Sequence, residues 1–97
     1  MNMTIAFDCD GTLTTDYGPN PKPRYEVIDL YQWFIRNGDR VIVWSGGGAE
    51  YAADWCRRLG LNPYATLGKT KENAKAYDVD IAVDDELVNL GKVNIHV

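Results

Sequence analysis

The sequence predicts an α/β fold in which a parallel sheet of about four or five strands carries helices on both faces. Short apolar runs alternate along the chain with segments whose apolar residues recur at helical spacing. Two of the apolar runs end in closely spaced aspartates, and the carboxyl ends of strands are where open α/β sheets bind ligands. The length of 97 residues predicts one domain spanning 1–97.

Each element follows from its local pattern. The predicted strands cover 5–7, 41–44, 64–67, 80–83 and 92–97, and the predicted helices cover 24–37, 49–59 and 68–77. The first helix shows an apolar stripe made of Val27, Leu30, Tyr31, Phe34 and Ile35. Gly38 and Gly60 stand where the first two helices should end. Segment 15–23 holds three of the four prolines, so we expect a loop that overhangs the end of the first strand.

Composition narrows the classes of partner. The net charge of −4 disfavours a nucleic-acid-binding surface, although it leaves room for a local basic patch. No apolar run reaches the length needed to span a membrane, and no membrane partner is expected. Cys9 and Cys56 lack the spacing of zinc ligands, and two free thiols favour a reducing cytoplasm over a disulfide framework.

The candidate chemistry begins directly after the first strand. Asp8 and Asp10 are separated by one residue, and two carboxylates so close repel each other. A metal ion would relieve that repulsion, and one aspartate could attack phosphorus while the other moves a proton. A strand that ends in an Asp-rich turn is the alternative explanation.

The segment Asp8-Cys9-Asp10-Gly11-Thr12-Leu13 resembles motif one of the haloacid dehalogenase (HAD) superfamily, D-x-D-G-T-[LV]. Three further segments match that superfamily's motifs in the same order. Ser45 follows the second strand and precedes glycines 46–48, as in motif two. Lys69 and Lys71 are both candidates for the motif-three lysine, and the Gly-Lys arrangement favours Lys69. The pair Asp84-Asp85 resembles motif four.

The resemblance implies a three-layer, Rossmann-like core without a cap domain, and a phosphatase that uses Mg²⁺. Asp8 would be the nucleophile that forms an aspartyl-phosphate, and Asp10 would be the general acid and base. The implied metal ligands are Asp8, the backbone carbonyl of Asp10, Asp84 and Asp85. The implied substrate-binding residues are Gly11, Thr12, Ser45, Gly46, Lys69 and Lys71, with Ser45 and Lys69 also counted as catalytic.

Two questions stay open at this point. A module that binds Mg²⁺ and a phosphoryl group without turnover is an alternative to an enzyme, although such a binder has no need of Asp10. The substrate is expected to be either a small phosphorylated metabolite or the phosphorylated end of a macromolecule. Because the motifs are too close together to enclose a cap, we expect an open site that a bulky substrate or a neighbouring subunit of a homo-oligomer covers.

Overall fold

The computed structural model describes residues 2–15 and 20–97, and it contains a five-stranded parallel sheet. The strands are β1 (Thr4–Asp8), β2 (Arg40–Ser45), β3 (Ala65–Gly68), β4 (Ile81–Asp84) and β5 (Val93–His96). Their spatial order is β3-β2-β1-β4-β5, and every neighbouring pair is parallel. The helices are α1 (Tyr25–Arg36), α2 (Ala49–Leu59) and α3 (Lys71–Ala76). The predicted α/β fold class is therefore confirmed.

Two apolar clusters, one on each face of the sheet, make up the core. On one face, α1 and α2 pack on alternate strand residues, and Phe7 meets Tyr31 edge to face at 5.6 Å between ring centroids. On the other face, Ala74 of α3 packs with Trp44 and Ala82. The second face is covered more thinly, because α3 has six residues and residues 85–92 form no helix. Three layers result, with the sheet in the middle.

All predicted boundaries but one are correct within two residues, and one residue was wrongly assigned to the buried stripe of α1. Ile35 does not belong to the buried stripe of α1, since it is 37% exposed. The third helix begins at Lys71 rather than at Gly68, because the Thr70 side chain accepts a hydrogen bond from the Asn73 N–H and so caps the helix. Lys69 therefore lies in the connector before α3. Part of the predicted 15–23 loop, residues 16–19, lies outside the described residues.

Two aspartates hold the start of β1 between its neighbours. Asp39, directly before β2, accepts a hydrogen bond from the Met3 N–H at 3.0 Å. Asp80, directly before β4, accepts one from the Thr4 N–H at 2.9 Å. These bonds fix where β1 begins relative to both adjacent strands, and hence where its other end emerges.

Within the described ranges, no helix has the length and apolar character needed to cross a lipid bilayer.

Candidate active site

The register of the sheet brings the polar ends of three strands to one edge. Asp8 lies opposite Trp44, and β2 continues one residue further to Ser45. β4 pairs with the other side of β1 and ends at Asp84. Since side chains alternate along a strand, Asp8 and Asp84 share the side of the sheet that carries α3. Asp8, Ser45 and Asp84 are all buried.

Three carboxylates converge at this edge. Asp8, Asp84 and Asp85 each offer one carboxylate oxygen, and these atoms lie within 4.8 Å of one another. Thr12 links two of them, because its hydroxyl lies 3.2 Å from Oδ2 of Asp8 and 3.1 Å from Oδ1 of Asp85. The same hydroxyl accepts a hydrogen bond from the Asp85 N–H at 2.9 Å. A set of oxygen donors alone suits a hard divalent cation such as Mg²⁺.

Lys69 lies between two of these carboxylates. Its Nζ is 3.2 Å from Oδ1 of Asp8 and 3.1 Å from Oδ2 of Asp84. The backbone explains this placement, since the Lys69 N–H donates to the Ser45 carbonyl at 2.8 Å and keeps the residue at the sheet edge. Lys71, the other candidate, is exposed on α3 and lines a separate groove with Lys75.

Burial and the neighbouring charges change the pKa values of Asp8 and Lys69. Burial, followed by the charge of Asp84, raises the pKa of Asp8 to about 7 even though Lys69 acts in the opposite direction. Burial lowers the pKa of Lys69, but the two carboxylates outweigh it and raise that pKa above its ordinary value. A second cation near Asp8 would therefore favour the ionised form that a nucleophile needs.

Ser45 and the glycines after it form the opposite wall. Gly47 N–H donates to Oγ of Ser45 at 3.0 Å, which leaves the Ser45 hydroxyl hydrogen free to be donated to a ligand. Gly48 has a φ of +105° and precedes the first residue of α2, so the helix begins at the site. A pocket of about 150 Å³ lies between this loop and the acidic residues; it is lined by Asp8, Asp10, Ser45, Gly46, Gly47, Lys69 and Glu86.

Gly11 is needed both for its conformation and for its size. Its φ is +79°, which side chains rarely adopt, and a Cβ atom there would overlap the carboxylate of Asp85. Its carbonyl accepts a hydrogen bond from Nη1 of Arg24 at 2.6 Å. The tight turn after β1 therefore brings Asp85 against the backbone of the first motif.

Four residues of the site were not expected from the sequence. Tyr51 donates a hydrogen bond to Asp10, with its hydroxyl 2.7 and 2.9 Å from the two carboxylate oxygens. Glu86 lines the pocket, and its N–H donates to Oδ1 of Asp84. His96 is exposed, and its Nε2 donates a hydrogen bond to the Asp85 carbonyl at 2.9 Å. Arg24, which donates to the Gly11 carbonyl, is the fourth. Only Glu86 is adjacent to a motif, so a sequence pattern could have indicated Glu86 but not the other three.

Cys9 lies inside the first motif but does not face the pocket. Its side chain is buried in the cluster under α1 and α2, and burial raises the pKa of its thiol. Cys56 is also buried, and both cysteines are free thiols. A role for the Cys9 sulfur as a nucleophile is therefore disfavoured.

Comparison with protein-family models, with curated proteins and with solved structures finds no match for this chain.

Proposed function

We propose that this protein is a Mg²⁺-dependent phosphomonoester hydrolase of the HAD type, acting through an aspartyl-phosphate on Asp8. The observation that carries the proposal is the contact of Lys69 with both Asp8 and Asp84 at the carboxyl edge of the sheet. A buried carboxylate next to a partly buried ammonium, with Ser45 across the pocket, is an arrangement suited to hold a phosphoryl group for transfer.

The proposed reaction has two steps. A carboxylate oxygen of Asp8 attacks phosphorus, the bond from phosphorus to the ester oxygen breaks, and Asp10 gives its proton to the departing alcohol. Asp10 then removes a proton from water, which attacks phosphorus and releases inorganic phosphate while the Asp8 carboxylate is restored. Lys69 and the Ser45 hydroxyl donate hydrogen bonds to the phosphoryl oxygens in both steps.

The residues present fit a divalent cation. Asp8, Asp84 and Asp85 would hold it, together with the backbone carbonyl of Asp10. When bound, Mg²⁺ supplies charge neutralisation that lets an anionic nucleophile approach an anionic phosphate ester. Thr12 would keep Asp8 and Asp85 oriented through the hydroxyl contacts described above.

A non-catalytic module that binds Mg²⁺ and a phosphoryl group is the second candidate. It is favoured by Lys69, which already neutralises part of the acidic cluster and would hold a phosphate without any reaction. It leaves unexplained why Asp10 also lines the pocket. The two candidates differ in turnover and agree in binding.

The test measures phosphate released from para-nitrophenyl phosphate with and without Mg²⁺, in the wild type and in Asp8→Asn. We expect Mg²⁺-dependent release that Asp8→Asn abolishes while the circular dichroism spectrum is unchanged. More than about a tenth of wild-type turnover in Asp8→Asn would show that the nucleophile lies elsewhere. No release by the wild type, combined with a Mg²⁺-induced rise in melting temperature that Asp84→Asn reduces, would favour the non-catalytic module.

We also propose a substrate class, a candidate lid and a cellular compartment for this reaction. A phosphorylated metabolite or a phosphorylated macromolecule end is the substrate class, and a second copy of the chain is a candidate lid. The two free thiols favour a reducing compartment, for which we propose the cytoplasm.

A further inference from the structure

Tyr51 contacts two residues that line the pocket, Asp10 and Gly47, although it is 41 residues away from Asp10 along the chain. It is the third residue of α2 and projects from the first helical turn. The phenol has one hydrogen, so it donates to one Asp10 oxygen at a time and leaves the other oxygen for a different partner. A phenol with an ordinary pKa of 10.0 is protonated at neutral pH, and the hydrogen bond to Asp10 raises the pKa of Tyr51 further.

A second contact fixes the ring of Tyr51. A Cβ atom on Gly47 would lie 3.1 Å from Cγ and 3.3 Å from Cδ1 of the tyrosine, so the glycine backbone packs closely against the ring. The ring of Tyr51 therefore packs against Gly47 in the loop after β2, while its hydroxyl contacts Asp10 in the turn after β1. Because Tyr51 is 37% exposed, the contact lies at the protein surface and not in the core.

We propose that Tyr51 is a positioning residue that holds the Asp10 carboxylate toward the pocket where the phosphoryl group is transferred. This rests on the proposed function, in which Asp10 moves the proton. Tyr51 keeps its own proton throughout: it donates a hydrogen bond to one Asp10 oxygen, and the other oxygen gives a proton to the leaving group or takes one from water. Without the hydrogen bond from Tyr51, the Asp10 carboxylate can rotate away from the pocket into solvent, and proton transfer slows.

The decisive experiment is a double-mutant cycle with Tyr51→Phe, Asp10→Ala and the double variant. Phosphate release from para-nitrophenyl phosphate is measured with Mg²⁺. The good leaving group removes the need for Asp10 in the first step, and a high enzyme concentration makes the slower second step of the Asp10→Ala variants measurable. We expect Tyr51→Phe to lower kcat about tenfold with KM unchanged, because the ring and its packing remain and only orientation is lost. In the Asp10→Ala background the same change should have no further effect, because the carboxylate that it acts on is gone.

Tyr64→Phe is the matched control. Tyr64 is 63% exposed, its ring lies against the Arg40 guanidinium, and it directly precedes β3, away from the carboxyl edge. Removing its hydroxyl should leave kcat and KM at wild-type values. Urea unfolding of every variant separates a loss of positioning from a loss of fold.

The outcomes distinguish this inference from the proposed function. If the wild type is active and Tyr51→Phe has no effect, the positioning role alone is overturned. The same holds if Tyr51→Phe lowers kcat by the same factor with and without the Asp10 carboxylate. A wild type that releases no phosphate overturns the proposed function, and the positioning role fails with it. A non-additive cycle with unchanged KM supports both.

Discussion

At the scale of single residues, Gly11 shows how closely the two acidic motifs fit together. Its backbone adopts a left-handed conformation, and the Asp85 carboxylate occupies the space that any side chain would need. A larger residue would therefore strain the turn and displace a proposed metal ligand at the same time. The chain offers a comparison that separates these two effects, because Gly38 has a similar φ of +84° with no atom near its missing side chain.

We expect Gly11→Ala to destabilise the protein more than Gly38→Ala. Left-handed strain alone costs about 1–2 kcal/mol, and overlap with a packed neighbour adds about 1–3 kcal/mol. Urea unfolding measures both losses, and Gly11→Ala should also reduce the Mg²⁺-induced rise in melting temperature. Equal losses in the two variants would show that Asp85 moves aside at little cost.

Lys69 and Lys71 form a second matched pair at this scale. We expect Lys69→Gln to lower kcat by about 10²–10³-fold, because it removes a charged donor aimed at the pocket. Lys71→Gln changes the same charge on the exposed surface of α3 and should change kcat less than tenfold. Steady-state kinetics at saturating substrate decides between them, and the reverse ranking would assign the phosphate-binding role to Lys71.

At the scale of elements, the position of β1 depends on the two carboxylates that hold its start. The hydrogen bond from the Met3 N–H is the largest cause of the lowered pKa of Asp39. The hydrogen bond from the Thr4 N–H is the largest cause of the lowered pKa of Asp80. A carboxyl whose pKa is lowered by folding stabilises the native state above its ordinary pKa of 3.8. That contribution disappears as the pH falls through the lower folded-state value.

We therefore expect Asp80→Asn to be less stable than the wild type at neutral pH, with a difference that narrows below pH 3.8. Asparagine keeps an oxygen that can accept from Thr4 but loses the charge that Lys92 contacts at 3.1 Å. Urea midpoints measured across this pH range test the prediction, with Asp29→Asn on the exposed side of α1 as the control. A difference that persists unchanged to low pH would show that the Asp80 charge is not its source.

At the scale of the whole molecule, the pocket formed by residues 2–15 and 20–97 is small. The pocket between the acidic residues and Ser45 has a volume of about 150 Å³, below the roughly 300–1,000 Å³ of pockets that enclose drug-sized ligands. It has room for a phosphoryl group, and the rest of a substrate must lie outside it. A neighbouring cavity of about 310 Å³, lined by Gly11, Thr15, Arg24 and Asp85, offers one such surface.

We expect the monomeric domain to turn over small phosphate esters poorly, with a high KM, because few groups contact the part of the substrate beyond phosphorus. Phosphorylated chain ends should show a lower KM, since they can extend over the surrounding surface. Steady-state kinetics on both substrate types test this, with the oligomeric state checked by light scattering. A monomer with a micromolar KM for a free small metabolite would contradict it.

The alternation of strands and helices and the positions of the acidic pairs could be predicted from the sequence alone. Periodicity and strand-end aspartates are local features, so they indicated the parallel sheet and put Asp8, Asp10, Asp84 and Asp85 at strand ends before any contact was known. The same reasoning failed for Ile35, which has helical spacing but lies at the exposed end of α1. The helical spacing of an apolar residue predicts the direction in which its side chain points, but it does not predict whether another part of the chain packs over that side chain.

Which side chains contact each other depends on the packing of the folded chain. Lys69 and Lys71 are both candidates in sequence, where the Gly-Lys arrangement favours Lys69. Their positions differ because β3 ends at Gly68 and a bond to the Ser45 carbonyl keeps Lys69 at the sheet edge, whereas Lys71 begins an exposed helix. The contact between Tyr51 and Asp10 has no local signal either, because it depends on how the start of α2 faces the turn after β1. Contacts of this kind join segments far apart in the chain, and packing of the whole sheet sets their distances.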